Sequence, residues 1–406
     1  MNRVVVTGIG ILSPIGNDKA SVTDGLRNGR SGIRRMEEWR QIKGLHSLVG
    51  GEVTGFDPKR IPRTARRTMG KVALMATIAS EDAVRDAGLT PEYLRSGRAG
   101  LAIGSTTGSP RSMSEFFSDF ALKGGIEGQM GTSFMKVMGH SAAVNAAVHL
   151  GLTGCVYSPT SACASSAQAI GLGYDLIRHG QQEAMICGGA EELHATTAGT
   201  FDIVHAASRA YNESPDRTPR PFDAARDGLA VSEGAAIVIL EDRERALSRN
   251  AVIYAEALGF ATCCDGVHIA MPSRDGMLRC MRSSLISAGL EPGDIDYINA
   301  HATGTLIGDA AESWGIKEIF GGKVPVSSSK GHVGHTIGAC GSMEAIFSIL
   351  MMREGFLAPT LNLEQISEDC SGINHLQQTA AVQVRRVLSN SFAFGGINAS
   401  LILGTG

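Results

Sequence analysis

The stretch PTSACASSAQAIGLG, Pro159 to Gly173, sets one cysteine among side chains small enough to admit another molecule. Ala167, Ile170, Tyr174 and Ile177 recur at helical spacing, which predicts a helix opening just after Cys163. A thiol at the mouth of a helix meets its positive end and its free N–H groups, which favour thiolate and can hold a developing oxyanion. A lone cysteine in such a place is more often a small packing residue. Two histidines shift that balance. His301 closes an apparent strand and opens HATGT, while His335 and Lys330 lie in SSSKGHVGHTIGACGSMEA, a glycine- and serine-rich loop ahead of a helix. Such a set can do acyl chemistry: sulfur accepts an acyl group, and neutral imidazoles polarise a carbonyl or stabilise an enolate.

Other clusters point elsewhere less strongly. His332 with His335, and Cys263 and Cys264 with His268, lack a second half at ligand spacing, so no metal is expected. The glycines at 104 to 108 and 395 to 396 fit neither a dinucleotide fingerprint nor a phosphate loop, so no nucleotide cofactor is expected. KRIPRTARRTMGK, Lys59 to Lys71, carries six basic residues and no acid. With Pro62 in a first helical turn, Arg63, Arg66 and Arg67 would share one face. Cations there oppose the helix dipole, which suggests an acidic partner; a merely solvated face is the even alternative.

These residues need a scaffold to hold them. Short apolar runs alternate with amphipathic stretches: Val4 to Val6, a helical pattern over Met69 to Ala87, then Ala99 to Ser105 and Glu183 to Glu192. That order predicts α/β layers with buried strands. The second half repeats the style with a helix over Gly276 to Gly289, a strand over Ile295 to His301 and a last strand over Ser400 to Gly404. At 406 residues the chain suits two domains or one large duplicated unit. The boundary falls near residue 250, giving halves 1–250 and 251–406, although no sequence repeat is visible. Lysine plus arginine (37) nearly balances aspartate plus glutamate (40), which argues against a nucleic-acid partner. The scattered cysteines suit a reducing cytoplasm, and the apolar start reads as a buried strand, not a secretory leader. No run reaches the roughly 18 apolar residues of a membrane span.

With these residues assembled, the chain resembles a β-ketoacyl-[acyl-carrier-protein] synthase, in the type I branch of bacterial fatty acid synthesis. The likeness runs in order through VVVTGIGILSPIGN, SACASSAQAIG, CGGAEEL, RPFDAARDGLAVSEGAA, NAHATGTLIGD, SSKGHVGHTIGACGSMEA and SNSFAFGGINASLIL. It implies a duplicated thiolase-like fold of five layers, α-β-α-β-α, working as a homodimer. It also implies that Cys163 takes an acyl group from acyl carrier protein, and that His301 and His335 promote decarboxylation of the malonyl form. Lys330 would support the histidines, with Glu344 in the surrounding polar network. Backbone N–H groups of Cys163 and Phe394 would form the oxyanion hole, with the Phe394 ring as a gate. Thr303 and Thr305 would meet the phosphopantetheine arm, which arrives on the carrier protein. Thr107 and Phe392 would touch substrate, and Arg63, Arg66 and Arg67 the acidic carrier.

Four positions depart from the family pattern: Ala302 for glycine, Leu306 for proline, Ala393 for glycine and Ile397 for threonine. Alanine narrows backbone freedom, so these changes are expected to alter gating or acyl choice. The competing readings are a polyketide or aryl polyene ketosynthase and a non-catalytic partner subunit. A degradative thiolase would need a second cysteine where SFAFGGIN stands.

Overall fold

A nine-residue strand with no exposed side chain requires a sheet covered on both faces, and Val4–Leu12 is such a strand, here β1. The computed structural model describes residues 1–406. After β1 come α1 (Lys71–Ala87), β2 (Ala99–Gly104), α2 (Ser141–Leu150), β3 (Val156–Tyr157), α3 (Ser165–Arg178), β4 (Ala184–Glu191) and β5 (Gly234–Asp242). Then follow β6 (Ala255–Cys264), α4 (Arg274–Ala288), β7 (Tyr297–Asn299), α5 (Leu306–Phe320), β8 (Pro325–Ser327) and α6 (Cys340–Glu354). Short β9 (Asn374–His375), β10 (Arg386–Phe392) and β11 (Ile397–Gly404) complete the chain.

The strands run in the order β9-β8-β7-β10-β11-β6-β1-β5-β4-β2-β3. This order contains a repeat that the sequence hides. In β1 to β5 the spatial order is third, second, fourth, fifth, first; the same order links β8, β7, β10, β11 and β6. The pairing sense repeats too: β2 is parallel to β3 and β4, and β5 antiparallel to β4 and β1. Likewise β7 is parallel to β8 and β10, and β11 antiparallel to β10 and β6. The two rounds meet where β1 pairs antiparallel with β6, Val4 opposite Ala257 and Val6 opposite Ala255. The fold is therefore the duplicated α-β-α-β-α arrangement.

Packing follows the layers. Val72, Met75 and Ile78 of α1 join Ala142, Ala143 and Ala146 of α2 on one outer side. Met277, Met281 and Leu285 of α4 join Ala311 and Ile316 of α5 on the other. Between the sheets lie Ile170, Tyr174 and Ile177 of α3 with Ile346, Phe347 and Leu350 of α6. A helix flanked on all sides needs no polar face, and every residue from Cys340 to Met352 is buried.

Three expectations are corrected here. The strand expected over Ile295 to His301 is only Tyr297–Asn299, because His301 has already left the sheet for a loop capped by carboxylates. The last strand begins at Ile397, three residues earlier than expected. The basic stretch makes a single turn, Arg63–Arg66, with Pro62 outside it as N-cap and Arg67 as C-cap. A second helix start at Gly70 ends it before a long arginine face can form.

His332, raised in the sequence only for its spacing to His335, is buried in the structure. Both ring nitrogens lie 3.2 Å from backbone carbonyls, those of Arg30 and Pro359, and the side chain is fully buried. Burial lowers its pKa, against the pull of the two carbonyls. An unfolded histidine titrates near ~6.5, so below that pH the unfolded chain binds a proton that the folded chain refuses. Stability contributed by the neutral ring is thus present above that value and lost as pH falls. His332→Asn is expected to remove about 1.4 kcal/mol per pH unit from the slope of acid destabilisation. Urea unfolding midpoints between pH 5 and about 7 would check this; equal slopes in both proteins would contradict it.

Candidate active site

The sulfur of Cys163 sits directly before α3, whose first helical residue is Ser165. The residue before it, Ala162, takes a φ of 47°, a left-handed conformation that costs a β-carbon-bearing residue about 1 to 3 kcal/mol. That kink turns the thiol inward, where it is buried. Glycine at 104 lets β2 approach: a β-carbon there would lie 2.8 Å from the Ser165 backbone. The backbone N–H groups of Phe394 and of Cys163 itself are directed at the sulfur. The thiol is not a resting thiolate, however. Burial pushes its pKa up to about 12, against the charge of Lys330 and the two N–H groups. Desolvation outweighs the helix end, which corrects the sequence expectation.

His335 Nε2 lies 2.9 Å from Cys163 Sγ, and the His301 and His335 rings meet edge to face with centroids 5.2 Å apart. Both rings are held well below the ordinary histidine range, chiefly by burial and then by the nearby Lys330 charge. Each is therefore a neutral imidazole with one N–H to offer. The Nδ1 atoms of both have no hydrogen-bond partner within the chain. Lys330 is fully buried and ion-paired with Glu344. Burial lowers its pKa, but the Glu344 carboxylate more than offsets this, so the ammonium persists. Glu344 itself is raised to about 7 by burial, with Lys330 pulling the other way.

Two carboxylates that sequence reading passed over fix the histidine loop. Glu312 accepts from the backbone N–H groups of His301 at 2.9 Å and Ala302 at 2.7 Å, and from Asn390 at 3.0 Å. Asp309 accepts from Thr303 and Gly304 N–H groups at 3.0 and 3.1 Å and from Phe222 N–H at 2.8 Å. Burial raises Asp309 to about 6 and Glu312 to about 7, against these N–H bonds. The available signal was their spacing: both lie one turn apart near the start of the helix that follows HATGT.

Cys163, His301, His335, Thr303, Thr305, Phe392 and Phe394 all line one cavity of about 410 Å³. The threonine hydroxyls lie 3.1 Å apart, and Phe392 packs edge-on to His301 with centroids 6.3 Å apart. The Phe394 ring stacks on Phe201 at 5.5 Å, a neighbour the sequence did not single out. Ala393 keeps an ordinary φ, whereas Gly395 and Gly396 take φ of 88° and 70°; the alanine is unstrained in this conformation. Lys330 and Glu344 stand behind the histidines, outside the lining. Thr107 is also outside it, its hydroxyl donating to buried Glu191 at 2.8 Å. Arg63, Arg66 and Arg67 make no ion pair, whereas Arg60 binds Asp82 and Lys71 binds Glu233. One ligand atom from each of Cys163, His301 and His335 falls within 4.8 Å of the others. Such a trio could also ligate a soft cation, a possibility that local spacing could not reveal.

The geometry has clear relatives. Residues 1–246 match the family model "Beta-ketoacyl synthase, N-terminal domain" and residues 254–364 its C-terminal counterpart. The chain is 39% identical to the 3-oxoacyl-[acyl-carrier-protein] synthase 1 of Escherichia coli (strain K12), over 99% of each protein. The crystal structure of a β-ketoacyl synthase from Burkholderia phymatum STM815 superposes with a TM-score of 0.97 at 41% identity, covering 100% of both chains. A type II PKS acyl-carrier protein complex with its ketosynthase bound to the hexaketide, AntDE:AntF, gives a TM-score of 0.92 at 29% identity, covering 100% of this chain and 99% of that one. A buried thiol facing two neutral imidazoles, at the join of a duplicated fold and within these full-length likenesses, places the chain in the β-ketoacyl synthase family.

Proposed function

We propose that the protein is the condensing enzyme of fatty acid elongation, joining acyl and malonyl groups delivered on acyl carrier protein. The observation that carries this is the placing of Cys163, His301 and His335 in one cavity, with the sulfur in contact with His335. As Cys163 attacks the thioester, its proton leaves and the carbonyl oxygen becomes anionic. The N–H groups of Cys163 and Phe394 receive that oxygen. The carrier's thiol departs with a proton and the acyl group stays on sulfur. Malonyl-carrier protein then enters, its thioester oxygen facing His301 and His335. Loss of carbon dioxide leaves an enolate, which the two imidazole N–H groups stabilise. The enolate carbon attacks the acyl carbonyl, and the C–S bond breaks to give a β-ketoacyl product and a Cys163 thiolate, which takes up a proton from solvent to return to the thiol. Lys330 keeps both rings neutral and donating, and Glu344 holds Lys330. This scheme calls for no metal or other cofactor; the phosphopantetheine belongs to the carrier, and Thr303 and Thr305 would meet it.

Elongation is favoured over polyketide synthesis by the greater identity to the 3-oxoacyl synthase. The unpaired Arg63, Arg66 and Arg67 are read as the carrier's landing site. The homodimer rests on β3, a two-residue edge strand with both side chains exposed. In addition, Phe117, Phe120 and Leu122 are 59%, 48% and 86% exposed on a helix over Pro110–Lys123, an unusual apolar display. Thr107 and Phe392 would meet substrate. The halves divide near residue 250, with the nucleophile in 1–250 and the histidines in 251–406. No helix is long and apolar enough to cross a membrane, and all eight cysteines are free; both suit the cytoplasm.

Mass spectrometry after mixing the protein with acyl-carrier proteins of graded length tests the reading. Acyl mass on the Cys163 peptide, discharged as β-ketoacyl product by malonyl-carrier protein and absent in Cys163→Ala, is expected. A folded protein that no acyl-carrier protein acylates would overturn it. Charge reversal with Arg63→Glu and Arg67→Glu is expected to raise KM for the carrier about tenfold, roughly 1.4 kcal/mol, with kcat nearly unchanged. An unchanged KM would remove the landing site. Sedimentation should find a dimer that Phe117→Glu with Phe120→Glu converts to monomer; a monomeric parent protein would refute the dimer.

A further inference from the structure

Cys263 and Cys280 stand apart from the acyl-transfer trio, where the end of β6 packs under α4. Cys263 is half-buried and Cys280 fully so. Each sulfur is turned toward the other's element. Cys263 Sγ also lies 3.5 Å from the Gly276 carbonyl, and Cys280 Sγ 3.5 Å from that of Ala261. Two thiols on facing elements, each seated against a carbonyl of the other's element and one reachable from outside, are the parts of an oxidisable pair. Electrostatic coupling to Cys280, with Asn398 and Arg279, brings Cys263 below the ordinary thiol range, while Cys263 and then burial hold Cys280 well above it. Cys263 is thus the member suited to attack.

What the pair touches gives oxidation a consequence. Cys263 pairs in register with Asn398, whose amide lies 3.9 Å from the sulfur. That amide donates to Asp265 at 2.6 Å, and the Asp265 N–H donates to the Gly396 carbonyl at 2.8 Å. The other Asp265 oxygen accepts from Ser273 N–H at 3.0 Å. Gly276 is glycine for this reason: a β-carbon there would strike the Asp265 carboxylate and come within 3.1 Å of the Asn398 amide. Gly395 N–H donates to Ile269 O at 2.6 Å. These bonds latch the segment 265–273 to the turn 393–396, and both segments line the mouth of the Cys163 cavity.

We propose that Cys263 and Cys280 form a modification site for hydrogen peroxide, whose disulfide form tightens the latch between the two mouth segments. The Cys263 thiolate attacks one peroxide oxygen; the O–O bond breaks, sulfenic acid forms on Cys263, and the departing hydroxide takes up a proton to become water. Cys280 sulfur then attacks the sulfenic sulfur, the S–S bond forms, and a second water leaves with the Cys280 proton. Two thiols and one peroxide give one disulfide and two waters. A thiol reductant reverses the step.

The test treats the intact protein with stoichiometric peroxide, alkylates the remaining thiols under denaturing conditions, digests with trypsin and weighs the peptides. The expected product joins Asn250–Arg274 to Cys280–Arg282 at about 2 Da below the summed peptides, disappears with dithiothreitol, and is absent in Cys263→Ser. A bond from Cys263 to Cys264, overoxidised Cys263 beside fully alkylated Cys280, or prior oxidation of Cys163 would each overturn the site. Amide hydrogen exchange over 265–273 and 393–397 should slow at least about fivefold in the oxidised protein. Unchanged exchange would overturn the latch while leaving the disulfide. Neither readout depends on condensing activity, so failure here is distinct from failure of the proposed reaction.

Discussion

Everything at this site depends on a charge kept out of water. Lys330 is fully buried, and such an ammonium survives only because Glu344 sits against it. Its field falls on Cys163, His301 and His335 together. For the histidines it acts with burial, and the rings stay neutral donors. For the cysteine it opposes burial and only partly succeeds. The site therefore rests with no ionised group facing the cavity from the trio, while a cation waits one layer behind. Anionic oxygens formed during acyl transfer or decarboxylation would meet donors and a positive field already in position, which is the condition for electrostatic catalysis without reorganisation.

The layered fold makes that arrangement affordable in structural terms. α3 follows Cys163 and α6 follows the His335 loop; α6 is buried from Cys340 to Met352, and α3 packs Ile170, Tyr174 and Ile177 into the same core. Glu312 and Asp309 hold the His301 loop from the start of α5, so a loop that has left the sheet is still fixed by six backbone and side-chain donors. Rigidity here comes from buried carboxylates serving as caps. Their raised pKa values are the sign of how completely solvent is excluded.

The chemistry-bearing side chains were legible because residue type and spacing announce them: Cys163 before a periodic helix, His301 after a strand, His335 and Lys330 in a close-approach loop. The duplication was not, since it survives in strand order and pairing sense, neither of which is a pattern of residue types. The resting protonation of Cys163 was not legible for a related reason. A helix end is visible in sequence, but the depth of burial that overrides it depends on packing from residues more than a hundred positions away. Asp309 escaped notice because an acidic residue in a first helical turn has an ordinary explanation in the helix dipole, and Glu312 because one turn further on nothing local marks its burial. The arginine turn was overextended because nothing local marks Gly70 as a new beginning.

The join between the two rounds has a consequence for the growing chain. Cys163 and the imidazole that touches it are separated by 172 residues. A ribosome adding roughly 5 to 20 residues each second would leave the first round waiting many seconds for its complement. During that interval the thiol lacks the walls that suppress its ionisation and behaves as an ordinary reactive cysteine. Completion of the site is thus tied to the end of synthesis, because the groups that set the environment of Cys163 arrive with the second round of strands.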